Sequence, residues 1–127
     1  MSLQLVAGKR VQVNESDGDV PTGIQVKRGD TLIFHGDGRI WAGVWGTGNN
    51  GPRGWNNLDN DPKFRLPGSH PYCLLGKLDT GYFYIGDRMR VNGTDDQGEL
   101  FLRINDDVPG NGTGAFTCDV QVYRDIA

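Results

Sequence analysis

The chain's densest run of side-chain oxygens lies in RINDDVPGNGTGAFTCDVQV, residues 103 to 122. Asn105, Asp106, Asp107, Asn111 and Thr113 offer amide, carboxylate and hydroxyl oxygens, while Gly110, Gly112 and Gly114 let neighbouring carbonyls turn inward. That is the chemistry of a hard cation. Calcium takes roughly six to eight oxygen ligands in a flexible shell, whereas zinc or iron would call for His or Cys. Asp106 is the leading carboxylate, with Asp107 and Asn111 close enough in sequence to share its shell. The competing account is plain turn formation, since Asn, Asp and Gly make turns in most proteins and no EF-hand spacing is present.

Other chemistry-bearing residues are sparser. His35 ends TLIFH and His70 lies in PGSHPY, with no second His at ligand spacing and no nucleophile motif nearby. The carboxylates are spread over turns and give no evident acid/base pair. Cys73 and Cys118 are too few for a disulfide scaffold and lack zinc spacing, so two buried thiols or one bridge both fit. Trp41, Trp45 and Trp55 sit in or beside Gly-rich loops. There an exposed indole could stack on a sugar face, and a core indole would only pack. Arg28-Gly29-Asp30 reads as a Gly-Asp turn entering a strand.

The elements that must position these residues are strands. Runs alternating at period two are expected at 10–13, 23–26, 30–35, 39–45, 72–78, 81–85, 88–92, 99–104 and 115–123, separated by turn signals such as Ser16-Asp17-Gly18-Asp19 and Asn92-Gly93-Thr94. No segment sustains helical periodicity. Short strands at this spacing predict an all-β fold, an antiparallel β-sandwich with jelly-roll topology, in one domain over residues 1–127. The longest irregular stretch, 46–69, carries Trp55 and Phe64 as anchors.

Composition narrows the function classes. With 13 Lys and Arg against 16 Asp and Glu, attraction to a phosphate backbone has no basis, which argues against nucleic acid. No run approaches the roughly 18 apolar residues of a spanning helix, and Met1 to Gly8 lacks signal-peptide character. The expectation is a soluble protein, cytoplasmic or exported without a recognisable signal peptide, with no membrane insertion.

The segment order PTGIQVKRGDTLIFHGDGRIWAG, GPRGW, then LRINDDVPGNGTGAF resembles the calcium-dependent galactose-binding bacterial lectins of the PA-I (LecA-like) family, from about Val11 to Val122. The resemblance implies a small jelly-roll sandwich, galactose-binding-domain-like, assembling as a homo-oligomer. Calcium would be held between two loops and its shell completed by galactose hydroxyls. Asp106 would match the family's calcium carboxylate, Asn111 the first of two loop asparagines, and Ala42 the residue whose backbone carbonyl reaches the ion. Gly112 stands where the second asparagine would be, and the family's sugar-contacting His and Gln have no match in GPRGWNNLDNDPKF. Trp55, Asn56 or Asn57 would stand in beside Val108, or the sugar differs. Three readings follow: a non-enzymatic lectin for galactose-like sugars or glycoconjugates; a β-sandwich structural or protein-interaction module that has lost the sugar site; and a carbohydrate-active enzyme, which lacks a recognisable catalytic pair.

Overall fold

Alternation in sequence becomes alternation in burial. In β2 (Val20–Val26), Thr22, Ile24 and Val26 are buried while Pro21, Gly23 and Gln25 are exposed, so one face of the strand packs and the other is wet. The computed structural model describes residues 2–43, 48–55, 61–106, 110 and 112–126. Among these, every regular element is a strand, and the strands form two antiparallel sheets packed face to face. No helix among the described residues is long and apolar enough to cross a membrane.

The first sheet runs β1 (Leu3–Asn14), β9 (Thr113–Asp125), β3 (Thr31–Trp41), with β4 (Asn49–Asn50) and β7 (Arg88–Val91) both on the far edge of β3. The second runs β2, β8 (Gly98–Ile104), β5 (Leu74–Leu78), β6 (Gly81–Tyr84). Between them, Phe34 and Phe116 from one sheet and Leu74, Leu100 and Leu102 from the other are fully buried and belong to one apolar cluster. Burying a Leu or Phe side chain contributes about 1.5–3 kcal/mol, so this layer is the main favourable term holding the sandwich closed.

The observed elements differ from the expected ones at three places. The expected strand 30–35 and the first residues of the expected strand 39–45 are one continuous β3 that ends at Trp41, and Val44 and Trp45 lie outside the described residues. Gly36-Asp37-Gly38 reads as a turn, but β9 pairs with β3 from Thr31↔Tyr123 to Trp41↔Thr113 and carries the chain through it. Gly38 is needed there: its φ is 101°, and a Cβ would overlap the Ala115 carbonyl of β9. β1 starts at Leu3 because β9 extends to Asp125 and pairs with it. Asn49–Asn50, inside the stretch expected to be irregular, pairs with Ile40 and Trp41.

Cys73 and Cys118 are both free and buried. Burial pushes each thiol pKa up to about 12, so neither is a ready thiolate. The Asp of Arg28-Gly29-Asp30 is 1% exposed. Its carboxylate receives two bonds from the Arg124 guanidinium, both at 2.8 Å, and one from the Lys27 amide at 2.8 Å. The tripeptide is a clamped turn.

Candidate functional site

β8 delivers the oxygen-rich segment. Past Ile104 the chain leaves the second sheet with Asn105 and Asp106 still buried, at 0% and 1% exposure. Asn105 is fully committed. Its side-chain oxygen accepts the Leu66 N–H at 3.0 Å, and its amide nitrogen donates to the Leu66 and His70 carbonyls at 3.4 and 3.0 Å. Its backbone accepts from Tyr72 N at 2.7 Å and donates to Cys73 O at 2.9 Å. A buried amide satisfied this way is a staple, not an ion ligand. It also holds Tyr72 at φ 67°, a conformation that costs a non-glycine residue on the order of 1–3 kcal/mol. Asp106, one residue on, donates its N–H to Ile104 O at 2.8 Å.

The other end of the segment is fixed by a residue the sequence reading passed over. Glu15, just after β1, is 2% exposed. Its Oε2 accepts the N–H groups of Gly110 and Gly112 at 3.1 and 3.0 Å, and its backbone carbonyl accepts Gly110 N–H again at 3.3 Å. The Glu15 N–H donates to Gly114 O at 3.0 Å. Gly112 is pressed onto the last peptide of β3: a Cβ there would overlap the Trp41 carbonyl oxygen and lie 2.8 Å from the Ala42 carbonyl carbon. Glycine therefore occupies the expected second-asparagine position because no side chain fits. Ala42 is fully buried, and the Trp41 indole beside it is 37% exposed.

A cleft of about 310 Å³ is lined by Arg53, Gly54, Trp55, His70 and Tyr84. Trp55 is half-buried, its rear packed on the core. Its backbone N–H donates to Pro71 O at 2.8 Å, and its backbone carbonyl meets His70 Nδ1 at 2.7 Å. A carbonyl only accepts, so Nδ1 carries the proton, and in the neutral ring Nε2 is the acceptor. Gly54 is required by its φ of 85° and by the Pro71 carbonyl, which a Cβ would approach to 2.7 Å. The His70 and Tyr84 ring centres are 6.2 Å apart. Burial pushes the Tyr84 phenol pKa up, against the opposing effect of the Arg53 guanidinium.

The cleft connects to the oxygen-rich segment through the backbone of His70, whose carbonyl is held by Asn105, the residue before Asp106. Sequence reasoning named Trp55 here and weighed His70 only as a metal ligand or nucleophile partner; it missed Tyr84 and Arg53, which come from separate parts of the chain. Of the expected metal residues, Asp106 and Ala42 are described. Asp107, Asn111, Asn56, Asn57 and Val108 lie outside the described residues. Among the described residues no three His, Cys, Asp or Glu side chains converge as a metal cluster.

No family model matches the sequence, and no curated protein matches it. Among solved structures, the chain is similar to the EclA N-terminal domain, a PllA-like lectin, with a TM-score of 0.69 over 93% of this chain and 97% of that domain, at 17% identity. The two share a fold: the antiparallel β-sandwich built here from β1 to β9.

Proposed function

We propose that the protein is a non-enzymatic carbohydrate-binding lectin for galactose-like sugars, with its site at the end of the sandwich where β8 and β3 finish. The observation that carries this reading is the Asn105 bond to His70, which couples the aromatic cleft to the residue preceding Asp106. A sugar needs an apolar surface for its ring face and a few fixed polar groups for its hydroxyls. Trp55 supplies the surface, and His70 Nε2 and Arg53 supply an acceptor and donors. The likeness to a PllA-like lectin over nearly the whole chain supports the same reading.

Asp106, the Ala42 carbonyl and the Asp107 and Asn111 oxygens would hold calcium, which when bound offers coordination sites that two adjacent sugar hydroxyls can fill. Asp106 contributes the anionic oxygen. Glu15 keeps the glycine turn against the Trp41–Ala42 peptide, so the second loop stays near the carbonyl that must face the ion. The test is calorimetric titration of galactose, with and without calcium, into the natural chain and Asp106→Asn. Binding that requires calcium and is lost in the variant is the expected result. Heat of binding in neither condition would overturn the lectin reading.

A second reading, a sandwich module without a sugar site, draws on Gly112. That position has no room for a ligating side chain, which leaves the shell one donor short of the related pattern. The same titration separates the two.

A further inference from the structure

We propose that a groove on the outer face of the first sheet binds the acidic group of a saccharide whose neutral ring sits in the adjoining Trp55 cleft. The inference deepens the lectin reading and rests on it for the ring. The groove arises from a gap in strand pairing. Along the far edge of β3, opposite β9, β7 pairs residues 32–35 and β4 pairs residues 40–41, so among the described residues no strand pairs with 36–39 on that edge. The Gly36 N–H is met by Asp87 O at 2.9 Å, and the Gly38 N–H is taken by the Asp37 side chain at 2.8 Å. The floor beside them is glycine backbone, and the space is about 870 Å³.

Arg39, Arg53 and Arg88 line this space with exposed side chains. Among the described residues neither Arg39 nor Arg88 is in an ion pair, in contrast to Arg10, which is neutralised by Asp119 at 2.7 Å on the same face. Asp37 and Asp87 also line the groove, so with His35 neutral it carries one net positive charge, whereas the whole chain carries -3. A local positive site on an acidic protein is selective for a small anion over a polyanion, because repulsion from the rest of the surface grows with the ligand's charge. Guanidinium forks match the planar or trigonal oxygens of carboxylate and sulfate. Arg53 lines both the groove and the cleft, so a ligand seated on Trp55 lies beside the groove with that guanidinium between the two.

The experiment is calorimetry with galactose, galactose 3-sulfate, galacturonic acid and inorganic sulfate, at low and physiological ionic strength. It uses the natural chain and the Arg39→Gln/Arg88→Gln double variant. Both arginines are exposed, so the variant should melt with the natural chain, and its galactose affinity should be unchanged. The expected result is that one acidic sugar binds about tenfold tighter than galactose, that added salt shrinks the gain, and that the double variant abolishes it. Equal affinity for neutral and acidic sugars overturns the groove proposal and leaves the lectin reading standing. Acidic-sugar binding that depends on these arginines without any galactose binding supports the groove and counts against a neutral galactose site. Sulfate alone binding as tightly as the sulfated sugar overturns the link to the cleft, and no binding by any probe overturns both.

Discussion

Replacing Glu15 by alanine should loosen the candidate site more than any change in its apparent ligands. The side chain is 2% exposed and gives one carboxylate oxygen to two backbone donors, Gly110 at 3.1 Å and Gly112 at 3.0 Å. A hydrogen bond to a charged partner contributes about 1.5–3 kcal/mol, and leaving a buried donor unmet costs about 1–3 kcal/mol. The two losses are not equal. Gly110 is exposed and keeps its longer bond to the Glu15 carbonyl at 3.3 Å, so most of the penalty falls on half-buried Gly112. The expected destabilisation is then about 2–4 kcal/mol, a fall of about 8–15 °C in melting temperature for a domain of this size. Glu15→Gln keeps an acceptor in the same place and should lose only about 1 kcal/mol, because the charge alone is removed. Thermal unfolding by circular dichroism at neutral pH measures all three chains. An alanine variant that melts within about 2 °C of the natural chain would refute the reasoning, since the turn would then be held by its backbone alone.

Gly112→Asn, which supplies the second loop asparagine, should fail to improve calcium or sugar binding. It should cost about 1–3 kcal/mol, because its Cβ must displace the Trp41 carbonyl; tighter calcium binding with no loss of stability would contradict this packing. At Asp30, burial raises the carboxyl pKa, but the Arg124 guanidinium and the Lys27 amide outweigh it and hold the value below the usual 3.8. The folded-state value is the depressed one, so the clamp's contribution is present above the unfolded value and lost as pH falls through the folded one. Asp30→Asn should therefore destabilise by about 1–3 kcal/mol at pH 7 and converge with the natural chain once pH has fallen through the depressed folded-state value; a gap that persists in stronger acid would show that charge is not what the clamp uses. Identical chains are expected to associate, since β1 is a sheet edge with Leu3, Leu5 and Val6 exposed. Light scattering should report a mass above 13.9 kDa that Leu5→Lys reduces, and a monomer at working concentration would remove the idea.

Period-two patterning made the sandwich legible because strands bury one face: β2 follows its pattern residue by residue, while in β8 Arg103 is buried between Leu102 and Ile104. β3 was not legible as one strand. Gly36-Asp37-Gly38 has the local chemistry of a turn, and only pairing with β9 from far along the chain keeps it extended. Asp106 could be singled out because its neighbours advertise oxygens. Glu15 could not: its two partners lie 95 and 97 residues away, and nothing in Asn14-Glu15-Ser16 announces a buried carboxylate. The cleft was half legible for a similar reason. Trp55 stands out by type, but His70 and Tyr84 reach it only through the Asn105 staple and the β5–β6 hairpin.

β9 pairs with β1 from Asp125 to Ala115 on one side and with β3 from Tyr123 to Thr113 on the other. β1 and β3 do not pair with each other among the described residues, so β9 is the seam that joins them. Forming it requires closing a loop of more than a hundred residues, which places the fold among slow, high-contact-order sheets that assemble in milliseconds to seconds. The first residues of that seam, Thr113 and Gly114, directly follow the glycine turn that Glu15 grips, and they face the last residues of β3. Opening this end of β9 would release the turn, the Glu15 tether and the Trp41–Ala42 peptide together. Amide exchange at these positions should therefore report a single opening event, and a ligand that bridges the two loops should slow all of it by the same factor.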